Sequence, residues 1–307
     1  MKTGWQKTSL TWGKRLAIVV LILLAMSYGV LILAQRSKES LRLGLQDYLM
    51  EATGHQAEIT HLAEANIVPQ SVFKIQGILI RDKKDDKKVY ASVKSAYISL
   101  PFFNMMFGRG VYSGFEMKGM EFASGYALPK KLTIDYAGVS DPSPETATPV
   151  FMIEGLYNDY PLLMTMQMSR KQGKGGYLYR FNEITPMTYK LGPLEGDADY
   201  VRSFTTLSLE KGRFVLDGHE VEFTATDLDT RPLKARLKGR IDGLDFNGTL
   251  IKTNESMVLT IAPANHDENT LKTLKNVISI FQKTLGLTPD DKTMTITINE
   301  NGAKAEE

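Results

Sequence analysis

The chain has 307 residues, enough for one large domain or two ordinary ones. Its 37 basic and 35 acidic residues give a net charge of +2, which provides no global attraction for nucleic acid. Apolar residues make up 43% and charged residues 23%, so wholesale disorder is excluded. The absence of cysteine excludes disulfides, thiolate metal sites, iron–sulfur clusters and cysteine nucleophiles.

The strongest local signal is an uncharged apolar segment at residues 16–34. Its roughly 19 residues are long enough to cross the ~30 Å hydrocarbon core of a bilayer as a helix. A cleaved signal peptide is the alternative, but its apolar part would be shorter and would end in a small-x-small motif. The exit around Ala34 lacks that motif, and the sequence therefore predicts an uncleaved transmembrane anchor.

Charges around this segment predict its orientation. Lys2, Lys7, Lys14 and Arg15 precede it without any acidic residue, which favours an N-terminus in the cytoplasm. No second run of similar length and hydropathy follows. We therefore expect a single-pass membrane protein, with most of the chain outside the cytoplasm.

The chain after the anchor begins with one amphipathic helix and then turns to β structure. Helical spacing predicts a helix over 37–53 with Gly54 as its C-cap. Apolar residues then alternate along 73–79, 90–100 and 111–122, which predicts strands. The charged stretch 81–88 is interpreted as a solvated hairpin loop.

A Pro- and Thr-rich segment at 141–149 is the best internal boundary. It divides the chain into an N-terminal and anchor segment (1–36), a first β-region (37–140) and a second β-rich region (150–300). In the second region, the alternation of apolar and polar residues predicts further strands at 162–168, 177–181, 257–261 and 294–298. The clearest hairpin is 233–250, with Asp242-Gly243 as its turn.

An amphipathic helix is predicted at about 268–286, near the end of the second region. Its apolar stripe is formed by Leu271, Leu274, Ile278, Phe281 and Leu285. Packing against the sheet is the simpler interpretation. Contact with a bilayer surface or a partner helix is the alternative.

These elements predict a mainly β fold: a transmembrane helix followed by an antiparallel sheet, with a few short helices. Such a sheet can be apolar on one face and solvated on the other, and the apolar face must be covered. A closed sandwich or barrel would cover it with protein. A curled, taco-like sheet would leave an open groove that another molecule, such as a lipid, covers.

Motifs for catalysis or metal binding are absent from the sequence. The histidines lack metal-ligand spacing, and no nucleophile elbow or P-loop is present. Asp197 and Asp199 form a carboxylate pair without a partner base, and His219-Glu220 is interpreted as part of a solvated hairpin turn. The sequence therefore predicts that the protein is not an enzyme and that it has no cofactor or metal site.

Aromatic and methionine side chains recur on the predicted strand faces. The chain has 13 Tyr, 13 Phe and 14 Met. An ordinary sheet core would account for them. A deformable trough for acyl chains is the alternative, because unbranched methionine adapts to irregular partners.

The order of elements in residues 10–125 carries a family resemblance. A basic start, one predicted span and an amphipathic stretch ending in ATG (52–54) are followed by three segments: FKIQGILI (73–80), ASVKSAYISL (91–100) and FEMKGMEF (115–122). This arrangement resembles the start of AsmA-like proteins of Gram-negative inner membranes. Well-known members are much longer than this chain.

The resemblance implies a periplasmic β-groove protein that takes part in phospholipid transport or in outer-membrane assembly and homeostasis. Its expected partners are the membrane and a phospholipid or other acyl-chain ligand, with an envelope protein as a further candidate. Nucleic acid is not expected as a partner. The predicted groove-lining residues are Phe115, Met117, Met164, Met166, Leu237 and Phe246. The alternative is an anchored structural module with a closed β core that binds another envelope protein.

Overall fold

The structure, a computed structural model, describes residues 37–299 except 67–69, 102–110, 127, 141–147, 174–175, 203–206, 231–232, 253–255, 265–267 and 288–293. Within these residues, no helix is both long and apolar enough to cross a membrane. The predicted span at 16–34 lies outside the described residues.

The described elements are two helices and seventeen strands. In chain order they are α1 (Lys38–Thr53), β1 (Gln56–Asn66), β2 (Gln70–Arg81), β3 (Val89–Pro101), β4 (Val111–Tyr112), β5 (Gly114–Phe122), β6 (Leu132–Ser140), β7 (Val150–Tyr157), β8 (Tyr160–Gly173), β9 (Gly176–Phe181), β10 (Ile184–Leu191), β11 (Leu194–Arg202), β12 (Leu207–Leu216), β13 (His219–Thr230), β14 (Leu233–Ile241), β15 (Leu244–Lys252), β16 (Met257–Pro263), α2 (Glu268–Thr284) and β17 (Met294–Ile298). The prediction of a mainly β fold is confirmed.

Most strands join one large antiparallel sheet. Hydrogen bonds connect them in the order β1-β2-β3-β5-β6-β7-β8-β10, and then from β10 to β17 in sequence. Among the described residues, β1 pairs only with β2 and β17 only with β16, so the sheet is open. The last pair differs from the predicted antiparallel pattern: β16 and β17 are parallel, because α2 lies between them as a crossover connection.

A small second sheet is attached to the large one. The second half of β8 leaves β7 and β10 and pairs with β9, and β9 pairs with β4. The predicted strand 111–122 is therefore two strands, separated at Ser113. The Ser113 N–H donates to the Ser99 carbonyl at 2.9 Å, and its hydroxyl lies 2.8 Å from the Ser99 hydroxyl. These bonds hold the chain where it passes from one sheet to the other.

The sheet is apolar on one face and polar on the other. We call the first of these the apolar face. On it, the register between neighbouring strands aligns apolar residues into rows that run across the sheet. One row runs through Ala57, Ile80, Ala91, Phe122, Leu132 and Tyr157, and we call this end of the face the far end. Another row runs through Ala65, Phe73, Ile98 and Phe115, at the near end. The intervening residues of each strand lie on the polar face.

Helix α1 lies against β1 and covers the first strands. Ser37 caps its start, and Gly54, with a φ of 71°, ends it as predicted. Its apolar side packs on the apolar face, with Leu41, Leu45 and Leu49 against the cluster that contains Ile59 and Ile75. The start of α1 lies beside the near end, where the Lys38 ammonium donates to the Ala63 carbonyl at 2.9 Å.

Polar side chains of α1 also bond the backbone of the edge strand β1. Arg42 donates to the Ile59 carbonyl at 2.8 Å, and the Ile59 N–H donates to the side-chain oxygen of Gln46 at 3.3 Å. Unpaired N–H and C=O groups on an edge strand are a template for unwanted pairing. The contacts from Lys38, Arg42 and Gln46 satisfy some of these groups within the chain.

Two predictions about connections can be compared with the described strands. In the hairpin 233–250, β14 and β15 pair as expected, with Asp242 and Gly243 at φ values of 49° and 83° in the turn. Residues 141–147 of the predicted boundary lie outside the described residues. On either side of them Ser140 pairs with Val150, so the sheet continues directly from the first predicted region into the second.

We expect Gly44→Ala to stabilise the protein by about 1 kcal/mol, because alanine costs less conformational entropy than glycine inside a helix. An added Cβ at Gly44 would meet no atom within 4 Å. Urea unfolding would measure the change. The matched control is Gly54→Ala, which also has open space around it but has a φ of +71°, so alanine is strained there and should destabilise. Equal effects of the two changes would contradict this account.

Candidate functional site

The candidate site is the apolar face, and the structure places all six predicted groove residues on it. Register aligns Phe115 with Ile98, Met166 with Met187, and Phe246 with Gly239 across neighbouring strands. Met117, Met164 and Leu237 share the face by the strand alternation. Met166 and Phe246 are buried, and the other four are half-buried.

The middle of this face is built from β8 and β10. Met164 lies opposite Tyr189, and Met166 lies opposite Met187. Met164, Met187 and Tyr189 are half-buried. In the described part of the chain, none of these three belongs to the apolar clusters that α1 and α2 form with the sheet. The middle strands therefore present methionine and tyrosine side chains between two helix-covered regions.

Aromatic rings connect the two sheets at the near end. The Phe115 and Phe151 ring centroids are 5.6 Å apart, and Phe151 lies 5.7 Å from Phe181 of β9. Tyr112 of β4 lies 6.2 Å from Phe115. Because Phe115 and Phe151 belong to the apolar face, the small sheet formed by β4 and β9 lies over that face.

Helix α2 covers the part of the apolar face that is formed by strands β13 to β17. Leu274, Val277 and Ile278 are buried against strands β13 to β17, and Phe281 packs beside them. The interpretation that this helix packs on the sheet is thus confirmed for these residues. Val277 was not part of the predicted stripe; it lies three residues after Leu274 and widens the face of α2 that is buried on the sheet.

The end of α2 extends to a distant strand at the far end. The hydroxyl of Tyr157, a buried residue of β7, donates to the Leu285 carbonyl at 2.9 Å. Gly286 lies against Asn158 and Lys130 on the same side. Strands β8, β10 and β11 separate β7 from β12, so the helix end crosses the apolar face from β12–β17 to β7.

Tyr189 places a neutral aromatic side chain in the middle of the apolar face. It lies over Gly196, where an added Cβ would come within 2.7 Å of the tyrosine oxygen. Its hydroxyl donates to the Arg213 carbonyl at 3.2 Å. Burial, assisted by the negative charge of Asp197, raises the pKa of Tyr189 to about 12. The hydroxyl therefore stays neutral at physiological pH.

The polar face carries ion pairs across neighbouring strands. Asp197 accepts from Arg213 at 2.8 Å, and Asp199 from Lys211 at 3.1 Å. These pairs border a polar concavity of about 900 Å³. Each carboxylate of the pair noted in the sequence thus has its own cation.

His219 links two hairpin turns to α2. Its Nδ1 lies 2.6 Å from Asp242, and this bond holds the pKa of Asp242 below its usual range. With Nδ1–H donated to the carboxylate, Nε2 accepts from the Asn276 amide at 3.4 Å. The prediction of a solvated turn residue is wrong: His219 begins strand β13 directly after the Asp217-Gly218 turn, and its ring is hydrogen-bonded. Among the described residues, no three His, Asp or Glu come together as a set of metal ligands.

Several residues of the face were absent from the sequence prediction. Met187, Tyr189 and Leu191 alternate with Thr188 and Lys190, a period-2 signal that could have identified them. Tyr157 carries no local signal, because its partner Leu285 lies far away in the sequence.

The chain was compared with known proteins in three ways. Searches of protein-family models, of curated proteins and of solved structures each found no match to this chain.

Proposed function

We propose that this protein is anchored in the inner membrane and binds acyl chains on its periplasmic apolar face, taking part in phospholipid transport or outer-membrane homeostasis. The observation that carries the proposal is the apolar face, whose middle strands present half-buried Met164, Met187 and Tyr189 outside the clusters that the described helices form with the sheet. An alkyl chain on these side chains would gain about 0.8 kcal/mol for each buried methylene.

The contacts at both ends of the face support a curled, groove-like shape. The sheet of β4 and β9 lies over the apolar face at the near end, and the end of α2 reaches from β12–β17 to Tyr157 at the far end. Both contacts are on the same face, as expected if that face is concave. Methionine side chains at its centre suit a ligand with many conformations.

The predicted membrane span supports the location. It ends at residue 34, and Ser37 caps α1 only a few residues later. Because the start of α1 lies beside the near end, a span at 16–34 would hold this end of the face close to the bilayer. The AsmA-like order of elements in residues 10–125 favours the same arrangement.

We expect Met164→Glu to lower the amount of phospholipid that co-purifies with the full-length protein by about tenfold or more, because a carboxylate on the apolar face would lose its water when an alkyl chain binds. Mass spectrometry of the protein extracted in mild detergent would measure bound phospholipid. Leu163→Glu is the matched control, since Leu163 is the neighbouring residue, 40% exposed on the opposite face.

The wild-type result decides between the two functions considered from the sequence. Phospholipid bound to the wild-type protein and to Leu163→Glu, but not to Met164→Glu, would support the acyl-chain site. A wild-type protein that carries no phospholipid would overturn the proposal and favour an anchored module that binds another envelope protein.

A further inference from the structure

An apolar cavity of about 180 Å³ lies between α2 and the sheet. Every residue that lines it is apolar; the strands supply Phe223, Leu237, Leu259 and Ile261, and α2 supplies Val277 and Phe281. Engineered apolar cavities of ~150 Å³ stay free of water and bind benzene, so this space has room for roughly six carbon atoms. An alkyl segment fits its chemistry, whereas a polar group would lose its hydrogen bonds there.

The wall of the cavity is attached at several points. Leu274, Val277 and Ile278 pack on the sheet, Asn276 bonds His219 at 3.4 Å, and Leu285 accepts from Tyr157. Together, these packed residues and hydrogen bonds fix the position of α2 on the sheet. The helix is therefore positioned as one wall of a binding space as well as a cover for the sheet.

The cavity lies within reach of the middle strands. Strands β11 and β12 separate β10 from β13, so three strand spacings of about 4.8 Å place these two strands roughly 15 Å apart. One acyl chain reaches about half of a ~30 Å hydrocarbon core. A chain whose first methylenes lie over Met187 and Tyr189 of β10 therefore brings its terminal carbons toward the part of the face that α2 covers.

We propose that the cavity beneath α2 binds the methyl end of an acyl chain. This inference rests on the proposed function, because it assigns one end of the same ligand. The first methylenes lie over the middle strands, beside Met187 and Tyr189 of β10. The last carbons lie between Val277 and Phe281 of α2 and Leu237 and Leu259 of the sheet.

Photo-crosslinking to the full-length protein in mild detergent tests the position of the chain end. The probe is phosphatidylethanolamine with a palmitoyl chain that carries a diazirine at its terminal carbon, and the adducts are mapped by mass spectrometry of peptides. We expect adducts on α2 and on β16. The comparison probe carries the diazirine beside the ester, and its adducts should fall on β8 and β10 and not on α2.

The second part of the experiment fills the cavity with a larger side chain. Val277→Phe should lower the α2 adduct of the terminal probe at least tenfold while co-purified phospholipid persists. Ser279→Phe adds the same side chain to the exposed side of α2 and should leave the adduct unchanged. If Val277→Phe does not fold, Leu259→Phe fills the same cavity from the sheet.

The outcomes separate the two proposals. Terminal-probe adducts confined to the middle strands or α1, with phospholipid still bound, would overturn the cavity assignment and leave the acyl-chain function standing. An α2 adduct that is unaffected by cavity filling would also overturn it. A wild-type protein without any phospholipid would overturn both.

Discussion

Replacement of Phe246 by alanine is expected to destabilise the protein by about 3–5 kcal/mol. Phe246 is only 6% exposed and belongs to the cluster that joins α2 to strands β13–β17. Its ring also lies over Gly239 of the neighbouring strand, where an added Cβ would come within 2.8 Å of it. Alanine would therefore leave a cavity and uncover the backbone at Gly239.

Urea unfolding of the full-length protein in mild detergent would measure this change. The control is Ile251→Ala on the same strand, since Ile251 is 39% exposed on the polar face and should change stability by no more than about 0.5 kcal/mol. Similar losses for the two variants would contradict the packing described for Phe246. An unaffected Phe246→Ala would show that this side chain is a free groove lining and not part of the core.

Leu274→Ala is expected to weaken the docking of α2 by about 2–5 kcal/mol. Leu274 is 1% exposed, the most buried apolar residue of that helix. Removal of its side chain leaves a space between α2 and the sheet that neither rigid element can fill. The cost falls mainly on α2, whose apolar side has no other element to pack on in the described chain.

Hydrogen exchange would locate the effect of Leu274→Ala. The amides of α2 should lose protection, whereas those of β2 and β3, at a distance in the sheet, should keep theirs. Leu271→Ala removes the same side chain at a half-buried position of α2 and should have a smaller effect. Unchanged protection of α2 in the Leu274 variant would contradict its role as the anchor of the helix.

Much of the strand pattern could be predicted because the side-chain period of a strand is read directly from the sequence. The hairpin 233–250 combines strict alternation with Asp242-Gly243, and its register is as expected. The same period explains why Phe115, Met164 and Leu237 could be assigned to strand faces without knowledge of the fold. A shared face across distant strands follows from register, which short hairpin turns largely determine.

Features that depend on distant contacts could not be predicted. The break at Ser113 exists because β4 pairs with β9, more than sixty residues later. The parallel pairing of β16 and β17 depends on how α2 crosses the sheet. The contact of Tyr157 with Leu285 joins residues 128 positions apart, and no local pattern encodes it. Leu285 was predicted as part of an apolar helix stripe, but its contact with Tyr157 at the far end could not be predicted.

The side chains of α1 that bond β1 have a consequence for self-association. Copies of an open-sheet protein can form a head-to-tail fibre when the first edge strand of one copy pairs with the last edge strand of the next. Lys38, Arg42 and Gln46 already occupy backbone groups at the first edge strand. Such head-to-tail fibres are disfavoured as a result, and β1 is a poor template for a strand from another copy.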